Sequence, residues 1–452
     1  MSAAPAVAPP GPPGSALFGS LFELRRDPIG FLTRTSDELG DCVRYRVGPR
    51  AQAFFFRHPD QVRDVLVTHQ HGFMKGRGLQ WAKLFLGEGL LTSEGEFHRR
   101  QRRLSQPAFH RQRIRSYGAA MTDYAVRARE RWRDGREIDL AHEMMALTMA
   151  VVGKTLFDAD VEGEADELGE SLTTIIGLFH RFNMPFAGLV QRLPLPSNIR
   201  FLRARDRLDA TIYRLIAQRR KGGEDRGDLL SMLLLATDTE GDGGGMTDLQ
   251  LRDEVMTLFL AGHETTANAL TWTFYLLSRN PEAEARLFAE VDRVLGGRPP
   301  AVEDIPELRW TEQVFAESLR LYPPAWGVGR RAIRDQEIGG YVVPAGAYVL
   351  VSAFVTQRDA RFFPDPGRFD PERFAPEARA ARPRFAYFPF GGGARQCIGE
   401  PFAWMEGVLI LAAIAQRWRL RLVPGHRVEP QPLITLRPRY GMRMVPEGRE
   451  AG

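Results

Sequence analysis

The sequence predicts a mainly α-helical protein with small β-sheets, and three observations lead to this fold class. Segments with helical periodicity fill most of the chain, including RFLRARDRLDATIYRLIAQRRK and MTDLQLRDEVMTLFLAGHETTANALTWTFYLLSRNP. Runs of β-favouring residues are short and occur at only a few places. The chain has 452 residues, of which 44% are hydrophobic and 26% charged, so it can build a large globular core.

The first predicted elements are an N-terminal arm and a β-hairpin. Residues 1–14 are rich in Pro, Ala and Gly, which favours a flexible arm. The segment CVRYRVGPRAQAFFF (42–56) predicts two strands that turn at Gly48 and Pro49. Further strands are predicted within GGYVVPAGAYVLVSAF (339–354) and, near the end, in LRLVPG and LRPRYGMRMV. Because no long Ser/Gly- or Pro-rich linker divides residues 15–452, we expect them to form a single domain.

Helices are predicted between these strands. DYAVRARERWRD and ADELGESLTTIIGLFHRF have helical spacing. The longest helix is expected to begin at the cap formed by Thr247 and Asp248 and to stop at Pro281, since proline cannot continue a helix. A last helix is predicted in EPFAWMEGVLILAAIAQRW, directly after Cys397.

Composition excludes several classes of protein. The two cysteines lie far apart in the chain, which indicates a reducing compartment and favours the cytoplasm. The first residues lack the basic start and apolar run of a secretory signal. The strongly apolar run GVLILAAIA is far shorter than the ~20 residues of a membrane span. The net charge of +5 suits an acidic protein partner, whereas no nucleic-acid-binding motif is present.

The stretch FPFGGGARQCIGEPFAW places Cys397 in unusual surroundings. The ordinary interpretation of a lone cysteine is a buried, neutral thiol. Here the glycines at 391–393 and 399 let the main chain approach a bulky group, while Arg395 and the following helix N-terminus favour a thiolate. The absence of a second Cys or His at ligand spacing argues against a structural zinc site.

These residues match the pattern FxxGxRxCxG at Phe390, Gly393, Arg395, Cys397 and Gly399, and at this point the sequence resembles the cytochrome P-450 superfamily of haem-thiolate monooxygenases. Three further segments support the resemblance: AGHETT (261–266), ESLR (317–320) with PERF (371–374), and GEFHRRQRRLSQPAF (95–109). The resemblance implies a triangular helical body with a smaller β-rich region, and a single haem-thiolate monooxygenase domain over residues 15–452.

The resemblance also implies the cofactor, haem b (iron protoporphyrin IX), with the thiolate as its axial iron ligand. Such a ligand donates electron density to iron and favours O–O cleavage. Buried haem propionates need cationic or hydrogen-bonding partners, and His98 and Arg102, four residues apart, share one helical face. Many family members have Trp at the position of His98. The expected haem-binding residues are Cys397, His98, Arg102, Arg330, Arg395, Phe390 and Ala261.

The segment AGHETT resembles the family's oxygen-activation segment. Thr265 can return its hydroxyl to the carbonyl of Ala261, and together with Gly262 this predicts a local bulge. Glu264 and Thr265 would then form an acid–alcohol relay that delivers protons. For a helical threonine the simpler interpretation is back-bonding without function, and for His263 we expect packing or surface exposure rather than iron ligation.

Two more groups of residues follow from the resemblance. ESLR and PERF resemble the family's Glu-Arg-Arg core network, so a structural role is expected for Glu317, Arg320 and Arg373. The apolar segment 179–196 resembles a lid over the substrate entrance. A pocket above the haem is expected to be lined by Trp81, Phe85, Ala261, Thr265, Trp326 and Val328, although an aromatic residue is more often part of a core.

The expected reaction is insertion of one oxygen atom from O2 into a hydrophobic small molecule. A fatty acid or terpenoid fits best by analogy, and a steroid or macrolide is possible. No flavin or iron–sulfur motif is present, so electrons would come from a separate ferredoxin or flavodoxin with its reductase, attracted by a basic face at Arg99, Arg100 and Arg103. We expect a monomer. The alternatives are a peroxide-driven hydroxylase, a haem sensor or electron-transfer protein, and a cysteine hydrolase, for which no His partner is evident.

Overall fold

The computed structural model describes residues 8–158, 195–222, 226–239 and 243–449, together with residues 171, 174, 175, 193 and 241. Two predicted features, the helix at 165–182 and the lid at 179–196, lie largely outside the described residues. The part of the N-terminal arm that is described lies against the first strand, where the Arg44 N–H donates to the Pro10 carbonyl at 2.8 Å.

The described residues confirm the mainly α-helical class. Short 3-10 and π turns join many of the helices. The α-helices are α1 (Leu21–Arg26), α2 (Pro28–Leu39), α3 (Pro59–Arg63), α4 (Arg77–Leu86), α5 (Gly95–Ser105), α6 (Arg111–Ser116), α7 (Gly118–Arg131), α8 (Leu140–Phe157), α9 (Pro196–Gly222), α10 (Leu229–Leu235), α11 (Asp248–Arg279), α12 (Pro281–Leu295), α13 (Arg309–Leu321), α14 (Ala353–Thr356), α15 (Pro376–Ala380) and α16 (Glu400–Ala415).

The strands are short and form several small sheets. They are β1 (Cys42–Arg46), β2 (Gln52–Phe56), β3 (Phe73–Lys75), β4 (Ile138–Asp139), β5 (Val328–Ala332), β6 (Gln336–Ile338), β7 (Tyr341–Val343), β8 (Tyr348–Val351), β9 (Trp418–Leu422), β10 (Pro430–Pro432), β11 (Leu436–Pro438) and β12 (Arg443–Gly448).

The chain divides into two units, of which the first consists of the described residues up to Gln80 and of Leu319–Cys397. We call it the sheet unit, because it contains the five-stranded sheet with the order β1-β2-β8-β5-β3. The predicted hairpin is confirmed, since β1 and β2 pair antiparallel. Along β2, Phe54 and Phe56 enter one core cluster and Ala53 and Phe55 another, so both faces of the sheet are buried.

The predicted strands in segment 339–354 are also confirmed, but they belong to different sheets. Strand β7 pairs with β6, whereas β8 pairs parallel with β2 and antiparallel with β5. The Pro-Ala-Gly turn therefore connects two sheets of the sheet unit rather than forming a hairpin.

The second unit, which we call the helical unit, consists of the described residues within 81–318 and from 398 onward. This unit contains α11, which we call the central helix. It is 32 residues long and buried over most of its length. The helix begins after Thr247, as predicted, and the cap is a capping box with Gln250. The Thr247 hydroxyl accepts from the Gln250 N–H at 3.3 Å, and the Gln250 side chain accepts from the Thr247 N–H at 2.9 Å. The helix ends at Arg279, just before Pro281.

Two small sheets complete the helical unit. Strands β9 and β12 overlap the segments LRLVPG and LRPRYGMRMV, in which strands were predicted. They pair antiparallel, and β4 joins the other edge of β12. Strands β10 and β11 form an antiparallel pair that we call the terminal hairpin (Pro430–Pro438). Among the described helices, none combines the length and apolar character that a bilayer span requires.

Candidate active site

The loop around Cys397 is shaped by its main chain. Gly391 and Gly393 have φ angles of +73° and +70°, which residues with a side chain rarely adopt. At Gly393 a β-carbon would also collide with the Leu66 carbonyl. The Cys397 N–H donates to the Phe390 carbonyl at 3.0 Å. These constraints place the cysteine at the end of a fixed loop, three residues before α16 begins.

The two cysteines differ in accessibility. The Cys42 thiol is buried, and burial, with a smaller contribution from Asp41, raises its pKa to about 12. The side chain of Cys397 is exposed at the end of its loop. Cys397 is therefore the thiol that a ligand can reach, and its setting fits a haem-thiolate site, because an iron ligand must be accessible and deprotonated.

The middle of the central helix has an accessible patch. The helix is buried at 251–260 and again at 266–274, whereas Ala261 is exposed and Gly262 and Thr265 are partly exposed. Gly262 permits close packing against α8, since a β-carbon there would lie 3.0 Å from a methyl group of Val152. Small side chains on an otherwise buried helix fit a flat group that packs against it.

The predicted back-bond of Thr265 is confirmed, because its hydroxyl donates to the Ala261 carbonyl at 2.8 Å. The predicted bulge is wrong, since the described residues 248–279 form one uninterrupted α-helix. A carbonyl oxygen has two lone pairs, so that of Ala261 can accept the hydroxyl without losing its place in the helical ladder.

The residues that flank Thr265 have different environments. His263 is buried, and its Nδ1 lies 2.8 Å from the Phe259 carbonyl oxygen. Burial lowers its pKa to about 4, so the ring is neutral at pH 7, as expected for a packing histidine. Glu264 is also buried, and its Oε1 accepts from the Thr435 hydroxyl at 2.6 Å. Burial raises the pKa of Glu264, while Thr435 and Arg437 oppose this effect.

Sequence reasoning missed Thr435. Its hydrogen-bond partner Glu264 is 171 residues away in the chain. No local signal indicates such a contact.

The cations expected to bind the propionates lie in both units. His98 is buried and Arg102 is partly exposed on α5 of the helical unit. In the sheet unit, Arg330 on β5 is 9% exposed, and Arg395 is partly exposed in the cysteine loop. Within each unit these positions provide cationic or hydrogen-bonding groups of the kind that carboxylates require.

The neighbouring arginines of α5 differ from the solvated basic face that the sequence suggested. Arg103 forms paired hydrogen bonds with Asp238, at 3.2 Å from Nε and 2.9 Å from Nη2. Arg100 donates to the carbonyls of Gly244 and Gly245 at 3.2 and 3.1 Å. Arg99 forms an ion pair with Glu96 on the surface. The hydrogen bonds of Arg100 and Arg103 therefore go to a neighbouring loop of their own chain.

Arg320 binds main-chain carbonyls of the sheet unit. Its side chain is fully buried and donates to the carbonyls of Gln357 (2.9 Å), Pro366 (2.8 Å) and Arg368 (3.0 Å). Arg373 donates to the nearby Asp365 carbonyl at 3.1 Å. Both arginines thus secure the segment 357–368 of the sheet unit. Glu317 on the same helix as Arg320 is fully buried.

The expected pocket residues occur in both units. On α4, Trp81 and Phe85 are one turn apart, and Phe85 is buried edge-on to Phe201 with ring centroids 6.1 Å apart. In the sheet unit, Trp326 and Val328 are partly buried and pack against core clusters. The structure brings Ala261 and Thr265 together through their hydrogen bond.

Two carboxylates of the central helix hold the segment that follows Phe85. Asp253 accepts from the Glu88 N–H at 2.8 Å, and Glu254 accepts from the Leu90 N–H at 3.0 Å. These acids are buried although they lie in a helix, and their helical periodicity alone did not reveal this role. They position the chain just beyond the expected pocket residues of α4.

Comparisons with known proteins agree with this geometry. The family model described as cytochrome P-450 matches residues 9–442. The chain is 44% identical to "Cyclooctatin synthase" of Streptomyces melanosporofaciens, with 97% of this chain and 95% of the relative covered. It is 42% identical to "Cyclooctat-9-en-7-ol 5-monooxygenase" of the same organism, covering 91% and 90%. It is 38% identical to "Pentalenene oxygenase" of Streptomyces avermitilis, covering 95% of both chains.

A solved structure described as "Retinoic acid bound cyanobacterial CYP120A1" is similar in fold. The TM-score is 0.88 at 26% sequence identity, with 99% of this chain and 100% of that chain covered.

Proposed function

Because the chain belongs to the cytochrome P-450 family, we propose that this haem monooxygenase hydroxylates a terpenoid and binds the haem iron through Cys397. One observation carries the assignment of the ligand: Cys397 is an exposed thiol on a loop that its glycines and main-chain hydrogen bonds hold in place. Cys42, by contrast, is buried with a raised pKa.

The group implied by the family is haem b, which fits the accessible thiol and the accessible patch of small residues on the central helix. When bound, haem activates dioxygen, and a thiolate ligand favours O–O cleavage. Phe390 and Ala261 would pack against the cofactor. The propionates would be bound by His98, Arg102, Arg330 and Arg395, each through a hydrogen bond or an ion pair.

The chain's own residues then supply protons. Glu264 is buried and its pKa is raised, so its carboxyl can hold a proton closer to neutral pH than an exposed glutamate does. Thr265 carries a hydroxyl at the accessible patch and can pass a proton on. The overall reaction consumes RH, O2, two electrons and two protons and yields ROH and water.

The substrate assignment comes from the relatives. Three of them are named for cyclooctatin, cyclooctat-9-en-7-ol and pentalenene, which are terpenoids. For this chain we propose the same class rather than fatty acids, steroids or macrolides. Trp81, Phe85, Trp326 and Val328 would supply apolar contacts, and Ala261 and Thr265 would line the pocket on the helix side.

We further propose that electrons come from a ferredoxin or flavodoxin with its reductase, since the sequence contains no flavin or iron–sulfur motif. A monomer in the cytoplasm fits this scheme. Peroxide-driven hydroxylation is less favoured, because the buried acid Glu264 and the hydroxyl of Thr265 suit proton delivery to dioxygen. A sensor or electron-transfer protein would need no such pair.

Spectral titration of the haem-loaded protein tests the substrate class. Pentalenene serves as the terpenoid probe, with palmitate, progesterone and erythromycin for the other three classes. We expect a substrate-type shift of the haem band with pentalenene at a Kd at least about tenfold below that of the other probes, a difference of about 1.4 kcal/mol. Tighter binding of palmitate, progesterone or erythromycin would contradict the terpenoid assignment.

A further inference from the structure

Three side chains on one face of the central helix hold the terminal hairpin. Glu264, Asn268 and Trp272 are spaced four residues apart, which places them in a row. Asn268 Nδ2 lies 3.3 Å from the Thr435 hydroxyl oxygen, and Trp272 Nε1 donates to the Leu436 carbonyl at 3.0 Å. All are buried. The hairpin turn is thus attached to the same helix face that carries Glu264.

The Thr435 hydroxyl accepts a hydrogen bond from Asn268 and donates one to Glu264. A hydroxyl has one proton to donate, and an asparagine NH2 group can only donate. Because Asn268 donates to the hydroxyl oxygen, the proton of Thr435 is free to point at Glu264 Oε1, 2.6 Å away. Oε1 is therefore an acceptor in this arrangement, and Oε2 is the oxygen that can carry a proton.

The charges around Glu264 are few among the described residues. Arg437, on strand β11 of the hairpin, favours the carboxylate. On the central helix itself His263 is neutral, since its pKa is lowered to about 4. From α16, the buried Glu406 lies near Thr266, and burial raises its pKa to about 8. Thr435 is thus the hydrogen-bond donor to a carboxyl whose burial favours the protonated form.

We propose that Thr435 is a positioning residue for proton delivery: it holds Glu264 through Oε1 and so presents Oε2 as the proton-carrying oxygen. This inference rests on the relay proposed above, in which Glu264 supplies protons. It adds a residue of the terminal hairpin that acts through its hydrogen bond to Glu264.

The test compares Thr435→Val, which keeps the shape and removes the hydroxyl, with Thr435→Ser, which keeps the hydroxyl. The first readout is the infrared C=O band of the protonated Glu264 carboxyl in the resting, haem-loaded protein, identified by its loss in Glu264→Gln. A hydrogen bond to the charged form lowers a carboxyl pKa, so its removal raises it. We expect the titration midpoint to rise by about 1 pH unit in Thr435→Val and to stay unchanged in Thr435→Ser.

The second readout is the fraction of consumed electrons recovered as hydroxylated product. We expect Thr435→Val to lower it about threefold to tenfold and Thr435→Ser to restore it. Thr435→Val should add nothing in a Glu264→Gln background, because both changes act on one group. If Thr435→Val does not fold, Asn268→Ala replaces it, and the midpoint should shift in the same direction by a smaller amount.

The outcomes separate the two proposals. An unchanged product fraction in Glu264→Gln overturns the role of Glu264 as proton donor. A fall in Glu264→Gln together with wild-type values in Thr435→Val overturns the role of Thr435 alone. The same conclusion holds if the infrared midpoint shifts but the product fraction does not, since Thr435 would then affect the carboxyl without affecting proton delivery.

Discussion

The cysteine loop and the middle of the central helix contribute to the proposed site in different ways. In the loop, main-chain geometry does the positioning: Gly391 and Gly393 adopt positive φ angles, and a main-chain hydrogen bond holds Cys397. In the helix the backbone is regular, and the chemistry depends on side-chain partners of Glu264 and Thr265. Substitutions that add atoms should therefore be most damaging in the loop, whereas in the helix the most damaging substitutions should be those that remove a hydroxyl group.

The largest effect is expected from removing the proposed ligand. In Cys397→Ser the strongly red-shifted band of the reduced, carbon monoxide-bound protein should disappear completely, because serine cannot supply a thiolate. The matched control is Cys42→Ser, which removes the buried thiol of the other cysteine. Absorbance spectra of both variants measure this band. A red-shifted band that persists in Cys397→Ser would contradict the proposal that Cys397 is the iron ligand.

The next effect tests whether loop geometry matters. Gly391→Ala and Gly393→Ala both place a β-carbon at a positive φ, which costs about 1–2 kcal/mol. At Gly391 the β-carbon meets open space, whereas at Gly393 it collides with the Leu66 carbonyl. We expect Gly393→Ala to lower the free energy of unfolding by at least about 3 kcal/mol and to lose haem, and Gly391→Ala to lose only the smaller amount. Urea unfolding measures the free energy of unfolding, and the haem-to-protein absorbance ratio measures the bound haem. Equal losses of stability in the two variants would contradict the steric argument.

The smallest effect concerns the helix hydroxyl. Thr265 and Thr271 both donate to the carbonyl four residues earlier, at 2.8 and 2.7 Å, but only Thr265 lies at the accessible patch. Thr265→Val should lower the fraction of electrons recovered as product about tenfold, less than the ~100-fold expected for loss of a whole acid–base group, because water can replace a hydroxyl. Thr271→Val should leave this fraction unchanged. Equal values in the two variants would remove the functional distinction between them.

Several parts of the fold were predictable because their signals are local. The capping residue Thr247 and the proline at 281 bracket the central helix, and the glycine pattern identified the cysteine loop. The order of the five-stranded sheet was not predictable, since β2 pairs with β8 almost 300 residues later. The bulge prediction failed because it assumed that Thr265 would displace a main-chain hydrogen bond, which it need not do.

Some features of the candidate site were likewise predictable from local sequence, whereas others depended on packing. The sequence by itself determined the thiol at Cys397 in its glycine-rich surroundings, the acid and the hydroxyl at 264 and 265, and the helix that carries this acid and hydroxyl, because residue type and short-range spacing set these features. Only the tertiary structure decided that Thr435 meets Glu264, that Asp238 binds Arg103, and that Cys42 is inaccessible. Contacts between distant segments depend on how elements pack, and burial then sets which groups hold a proton or reach a ligand.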